Sequence, residues 1–199
     1  MRLRIACLLA GAGFALAPVR AADLVAEIRD SLGNLVADAV IYAEPVGAAA
    51  PPPRSDARAT IDQVNKEFVP RVSVVRAGTQ VSFPNSDNIR HSIYSFSPAK
   101  TFTTKLYSGR EAAPILFDKT GLVVLGCNIH DKMVAWVLIV DTPWYASSGT
   151  DGLATIRGIP AGEYRVTATA PSVGLKGYSV PLKLDAAAAR QTFVLEAGS

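Results

Sequence analysis

The chain has 199 residues, of which 49% are apolar and 19% are charged, a length that allows one or two small domains with buried cores. Lys and Arg together number 20 against 17 Asp and Glu, but three of the arginines lie within the first 22 residues. Without those three, 17 basic residues face 17 acidic ones and no basic stripe remains. This balance argues against a protein that binds nucleic acid through its charge.

Residues 1–22 have the pattern of a secretory signal peptide. Two arginines form a basic start, an apolar stretch follows from Ile5 to Leu16, and small residues allow cleavage after Ala21 or Ala22. The apolar stretch is shorter than the ~20 residues that a membrane-spanning helix needs. We therefore predict an exported protein, periplasmic or secreted, with no membrane span in its mature chain.

The segment after the signal peptide predicts a β-hairpin. Alternating residues at 24–28 lead into turn-forming residues at 30–34, and a second strand returns over 35–42. Residues 45–57 are rich in Pro and Ala, which is typical of a linker or an exposed loop. Residues 23–57 are therefore assigned to this hairpin and linker.

The rest of the chain predicts short strands in two groups, and hence an all-β fold. Residues 58–145 suggest a sandwich or a Greek-key barrel. Residues 146–199 suggest a smaller β-unit. Residues 101–107 fit either a strand or a loop with a helical turn. The predicted strands begin at Ile61 and then cover residues 72–75, 81–83, 93–96, 114–117, 122–125, 134–140, 150–156, 164–170, 178–184 and 191–195.

Residues Cys127 to Met133 bring a thiol, an imidazole and a thioether into one seven-residue stretch. Once the signal peptide is removed, the mature chain has one Cys (Cys127), one Met (Met133) and two His (His91 and His130). An extended strand would point Cys127 and His130 to opposite faces, so a shared metal ion requires a tight loop between the flanking strands. A polar loop before His91 can deliver the fourth ligand, and metal binding gives a reason for a lone thiol in an oxidising compartment.

The middle segment, about residues 58–145, resembles the cupredoxins, the blue copper proteins. The residues that carry the likeness are Val81–Asn85 leading to His91, Phe117, Gly121 and the Cys-x-x-His-x-x-Met loop at 127–133. This short loop is similar to that of amicyanin, and the wider pattern is similar to plastocyanin-like proteins described as methylamine-utilisation proteins.

The resemblance implies one copper ion that alternates between Cu(I) and Cu(II). His91, Cys127 and His130 would be the equatorial ligands and Met133 the weak axial one, a set that suits both copper valences. Zinc is the rival ion, although a thioether is a poor zinc ligand. Around the ligands, Asn85 belongs to the loop pattern, Arg90 adds a charge, and Ser92 stands where an Asn is frequent, which leaves that hydrogen bond open.

The two ends of the chain resemble the regulatory-like, transthyretin-type β-sandwich of carboxypeptidases. The likeness rests on Gly33, Asp38–Val40, Thr150–Gly152 and Ile159–Tyr164. It implies that 24–44 and 150–197 form one discontinuous sandwich into which the copper domain is inserted. The alternative is that 24–44 adds edge strands to the middle domain.

The predicted function is single-electron transfer between larger redox proteins, for example a periplasmic c-type cytochrome or a dehydrogenase. His130 would be the port through which electrons pass, as the resemblance implies. A copper carrier or storage module would use the same ligands, and a binding module with a structural metal is a third possibility. No catalytic residues are assigned, because both imidazoles are used as ligands and neither is left to act as a base.

Overall fold

The computed structural model describes residues 21–109, 113–185 and 187–196, and it confirms the all-β prediction. Apart from one 3₁₀ turn at Pro171–Val173, the regular elements in these ranges are strands. In chain order they are β1 (Ala21–Asp30), β2 (Val40–Pro45), β3 (Arg58–Thr60), β4 (Asp62–Val64), β5 (Glu67–Val69), β6 (Val72–Arg76), β7 (Thr79–Ser82), β8 (Ile93–Ser97), β9 (Lys100–Thr103), β10 (Ile115–Phe117), β11 (Gly121–Cys127), β12 (Val134–Val140), β13 (Tyr145–Ser147), β14 (Leu153–Pro160), β15 (Gly162–Thr169), β16 (Tyr178–Leu184) and β17 (Ala189–Leu195).

Residues 21–45 and 145–195 pack together around one apolar core. One sheet has the strand order β14-β1-β17 and the other β13-β2-β15-β16. Strand β2 runs antiparallel to β15, with Ile41 opposite Ala168. Alternate residues of each strand point inward, so Leu24 and Ile28 of one sheet meet Ile41 and Val166 of the other in a shared buried cluster.

The predicted hairpin over 24–44 is wrong. Strands β1 and β2 lie in different sheets, and an isolated bridge between Arg29 and Leu35 is all the pairing that joins β1 to the segment after its turn. The physical reason is that both strands have one apolar face. In opposite sheets, the two faces cover each other across the core, and each strand finds hydrogen-bonding partners from the C-terminal third of the chain.

The middle of the chain forms a second two-sheet sandwich with its own core. Its larger sheet has the order β6-β12-β11-β8-β9, and the smaller one has β10-β7-β3. Val81 and Phe117 from the small sheet pack against Val123, Leu125 and residues of β12 in one buried cluster. The hairpin β4–β5 lies beside this sandwich and contributes Phe68 to its core.

Several local predictions can be compared with these strands. The undecided stretch 101–107 begins in β9, which pairs with β8, and continues as a loop. The Pro/Ala-rich segment is exposed coil over most of its length, and the guanidinium of Arg76 donates hydrogen bonds to the carbonyls of Pro51 and Pro52.

The predicted signal peptide lies outside the described residues except for Ala21 and Ala22, which begin β1. In the part of the chain that the structure describes, no helix is long and apolar enough to span a membrane.

Candidate metal centre

The stretch from Cys127 to Met133 is a tight loop between two paired strands, as its spacing predicts. Strand β11 ends at Cys127 and β12 begins at Val134, and these strands are antiparallel neighbours. Within the loop the backbone N–H of Met133 donates to the carbonyl of His130 over 2.9 Å. The turn therefore folds the chain back on itself and brings His130 beside Cys127.

His91 reaches the same place from a different part of the chain. Strand β8 pairs with β11 so that Ile93 lies opposite Cys127, which places His91 just beyond the strand end. The backbone N–H of His91 donates to the carbonyl of Tyr107 over 3.0 Å, and the N–H of Tyr107 donates back to His91 over 2.9 Å. These two bonds hold the position of His91 against the loop that follows β9.

Three side chains come together at this point. The ligand atoms of His91, Cys127 and His130 all lie within 4.8 Å of one another. Cys127 Sγ is 3.7 Å from His91 Nδ1, and the two imidazole rings have their centroids 5.0 Å apart. His91 and Cys127 are buried, whereas His130 is partly exposed.

The geometry fits a metal ion held by one sulfur and two nitrogens. With metal–sulfur and metal–nitrogen distances of about 2.3 and 2.0 Å and a trigonal angle, sulfur and nitrogen would lie about 3.7 Å apart. That agrees with the separation of Cys127 Sγ and His91 Nδ1. In addition, Nδ1 of His130 is buried and has no hydrogen-bond partner among the described residues. A buried imidazole nitrogen without a hydrogen-bond partner is free to bind a metal ion.

Met133 is the last residue before β12 and closes the turn that contains His130. It is only 1% exposed and belongs to the buried cluster of the middle sandwich together with Cys127. Its side chain is therefore held by packing in the core of the middle sandwich.

The loop that leads to His91 is shaped by Asn85, which is only 3% exposed. Its side-chain amide donates to the carbonyls of Ile89 and Tyr107, both over 2.9 Å, and its side-chain oxygen accepts from the N–H of Asp87 over 3.1 Å. Asn85 therefore closes the polar loop on itself and ties it to the loop after β9.

Asp87 contacts His91 directly, and this contact was not predicted from the sequence. Its Oδ2 lies 2.8 Å from Nε2 of His91, and the side chain is 11% exposed. Burial raises the pKa of Asp87, but hydrogen bonds from the N–H of Lys66, from His91 and from the N–H of Asn65 outweigh it and leave the pKa below its usual value. The only signal in the sequence was a carboxylate four residues before a candidate ligand.

Ser92 and Arg90 are the other two residues that the sequence predicted to lie around the ligands, and they differ in burial. Ser92 is buried, and its hydroxyl has no hydrogen-bond partner among the residues that the structure describes, so it does not pin the ligand loop. Arg90 is exposed to solvent.

His130 forms part of the molecular surface at this end of the sandwich. It borders an open pocket whose other lining residues come from the β4–β5 turn and the loop before His91. Its neighbour Ile129 is 49% exposed. The lining residues are Asn65, Lys66, Asp87, Asn88, Ile89 and His130. The site is therefore closed to solvent at Cys127 and His91, and it approaches the surface through one imidazole.

Comparison of the sequence with family models and with curated proteins gives no match. Comparison of the structure gives similarities to copper proteins of known structure. A Cu-containing nitrite reductase from Thermus scotoductus SA-01 is 27% identical over 59% of this chain and 28% of its own, with a TM-score of 0.39.

A purple cupredoxin from Nitrosopumilus maritimus is 22% identical over 43% of this chain and 100% of its own, with a TM-score of 0.37. A pseudoazurin from Methylobacterium extorquens AM1 is 20% identical over 43% of this chain and 76% of its own, with a TM-score of 0.37. Because these scores lie below 0.5, the assignment of the site rests on its own geometry.

Proposed function

We propose that this chain is a type 1 copper protein that carries single electrons between redox partners. The observation that carries the proposal is the cluster of one thiol and two imidazoles within 4.8 Å, in which a buried imidazole nitrogen has no partner among the described residues. His91, Cys127 and His130 would bind one ion most strongly, and Met133 would be its weaker fourth ligand.

Copper is preferred to zinc because of the kinds of donor present. Structural zinc sites are built from four Cys or His ligands, and here the fourth candidate is a thioether. Two imidazoles and a thiolate, with a weak thioether, would satisfy neither Cu(I) nor Cu(II) fully, so little would have to move when the valence changes. When bound, copper would supply a one-electron couple.

The residues of this chain would fix the ligands, keep solvent from the thiolate and connect the copper ion to the protein surface. The β11–β12 turn and the His91 loop fix the ligands from two directions, which keeps the site from rearranging. Burial of Cys127 excludes solvent from the thiolate. His130 is partly exposed beside an open pocket, so it is the proposed route for electrons to and from a partner.

The cellular setting is part of the proposal. The predicted signal peptide supports a location in the periplasm or outside the cell, and a c-type cytochrome or a dehydrogenase is the kind of partner we expect there. We propose electron transfer rather than catalysis because both imidazoles are assigned as ligands and neither is left to act as a base.

We also propose that the chain divides as the sequence suggested: signal peptide 1–22, β-segment and linker 23–57, copper domain 58–145 and β-domain 146–199. Support comes from the two separate apolar cores and from the pairing of β2 with β15 across the middle segment. The transthyretin-type character of the terminal sandwich stays a prediction.

Visible absorption of the Cu(II)-loaded protein tests the proposal. An intense thiolate-to-copper band that saturates at one ion per chain is expected, and Cys127→Ser should abolish it. Ser147→Ala, on the exposed end of β13, is the control that should retain the band. A colourless protein that holds only Cu(I) or zinc would contradict the proposal and favour a storage role or a structural metal.

A further inference from the structure

The feature that the proposed function leaves unused is the carboxylate of Asp87 behind His91. Its Oδ2 is 2.8 Å from His91 Nε2, on the side of the ring opposite the nitrogen that faces Cys127. The imidazole is fully buried, and the side chain of Asp87 is 11% exposed. A carboxylate at this distance in a buried setting makes a strong, charge-assisted hydrogen bond.

A hairpin turn from another part of the chain holds this carboxylate in place. The turn between β4 and β5 consists of Asn65 and Lys66, whose φ angles are +54° and +61°. Two residues with positive φ form the tight turn that suits a two-residue hairpin. The backbone N–H of Asn65 donates to Asp87 Oδ1 over 2.6 Å, and the backbone N–H of Lys66 donates to Asp87 Oδ2 over 2.9 Å.

These contacts determine which nitrogen of His91 carries its hydrogen. An ionised carboxylate only accepts hydrogen bonds, and Asp87 already receives two from the backbone. His91 Nε2 must therefore be the donor. In a neutral imidazole the other nitrogen then has a free lone pair, and that nitrogen is Nδ1, 3.7 Å from Cys127 Sγ.

We propose that Asp87, clamped by the Asn65–Lys66 turn, is a positioning residue that fixes the tautomer of His91 and adds a negative charge behind it. The second effect rests on the proposed copper function. A negative charge stabilises the more highly charged Cu(II) more than Cu(I), so Asp87 lowers the reduction potential of the site. Partners of this kind behind a metal-binding imidazole typically change metal affinity 10–100-fold.

The tautomer is tested on the metal-free protein by long-range ¹H–¹⁵N correlation of the imidazole nitrogens. We expect His91 to be protonated at Nε2 alone in the wild type, and to become a mixture of tautomers in Asp87→Ala. Protonation at Nδ1 in the wild type, or the same single tautomer in Asp87→Ala, would overturn the proposal. Because no copper is present, this result does not depend on the proposed function.

The charge is tested by the reduction potential of the copper-loaded protein. Asp87→Asn keeps the size of the side chain and removes its charge, and we expect Cu(II) to lose about tenfold in affinity relative to Cu(I), which raises the potential by about 59 mV. Asp131→Asn is the matched control, since Asp131 is an exposed carboxylate next to His130. Its potential should shift much less.

Equal shifts in the two variants, or no shift in Asp87→Asn, would overturn the role of Asp87 while leaving the copper function intact. A wild type without a thiolate-to-copper band would instead refute the proposed function, and the tautomer measurement would still decide whether Asp87 orients His91.

Discussion

Replacing Asn85 by Ala should loosen the loop that delivers His91 and destabilise the metal-free protein. The buried amide of Asn85 makes three hydrogen bonds, two to backbone carbonyls and one from a backbone N–H. At about 1 kcal/mol net for each bond, their loss reduces the free energy of unfolding by about 3 kcal/mol. For a chain of this size the midpoint of thermal unfolding should fall by roughly 6–12 °C.

The assay is thermal unfolding of the metal-free variant followed by circular dichroism. Asn88→Ala is the matched control, because Asn88 is an exposed residue of the same loop, and its free energy of unfolding should stay within about 0.5 kcal/mol of the wild type. Asn85→Asp separates hydrogen bonding from packing, since it keeps the shape but places an oxygen opposite two carbonyls. An Asn85→Asp protein as stable as the wild type, or equal midpoints for Asn85→Ala and Asn88→Ala, would refute this reasoning.

Three further predictions concern the terminal sandwich. In chemical denaturation, Gly152→Ala should reduce the free energy of unfolding by about 2 kcal/mol or more, because φ is +66° and a Cβ would lie 2.9 Å from a backbone oxygen of β1. Gly158 has a similar φ of +67° but open space around it, so Gly158→Ala should reduce the free energy of unfolding by about 1 kcal/mol. Ser148→Ala should reduce the free energy of unfolding by about 2 kcal/mol, since its buried hydroxyl accepts from one backbone N–H and donates to one carbonyl of the segment before β2; no change would contradict this. The Asn34 side-chain amide, with backbone N–H groups of the same turn, lowers the pKa of Asp30, so Asp30 contributes stability above the usual carboxyl pKa that is lost as the pH falls through its lower value in the folded protein. The difference in thermal midpoint between wild type and Asp30→Ala should therefore shrink in acid, and a difference independent of pH would contradict it.

The local geometry of the Cys127–Met133 loop could be predicted because it depends on neighbours in sequence. The positions of Cys127, His130 and Met133 between two apolar runs require a turn, and the structure has one there. Most longer strands could be predicted in the same way, since alternation of apolar residues identifies the buried face of a strand.

The alternation of apolar residues along a strand does not identify which other strand pairs with it. Leu24 and Ile41 both face a core, but the sequence did not reveal that they face it from opposite sheets, and the predicted hairpin was wrong for that reason. Strands β4 and β5 have three residues each, too few for a periodic pattern. The turn between β4 and β5 was therefore not predicted, and neither was its contact with Asp87. That contact joins residues that are 22 positions apart (Asn65 and Asp87) and 21 positions apart (Lys66 and Asp87) in the chain.

Reversible one-electron reduction of the copper-loaded protein tests the central claim most directly. The measurement is protein-film voltammetry combined with anaerobic titration by a one-electron reductant and analysis of the copper retained. Electron transfer at a preformed site predicts one electron per chain, a reversible wave and full retention of copper in both valences. Loss of copper on either oxidation or reduction, or retention of Cu(I) alone, would contradict an electron carrier and indicate a protein that stores or delivers copper.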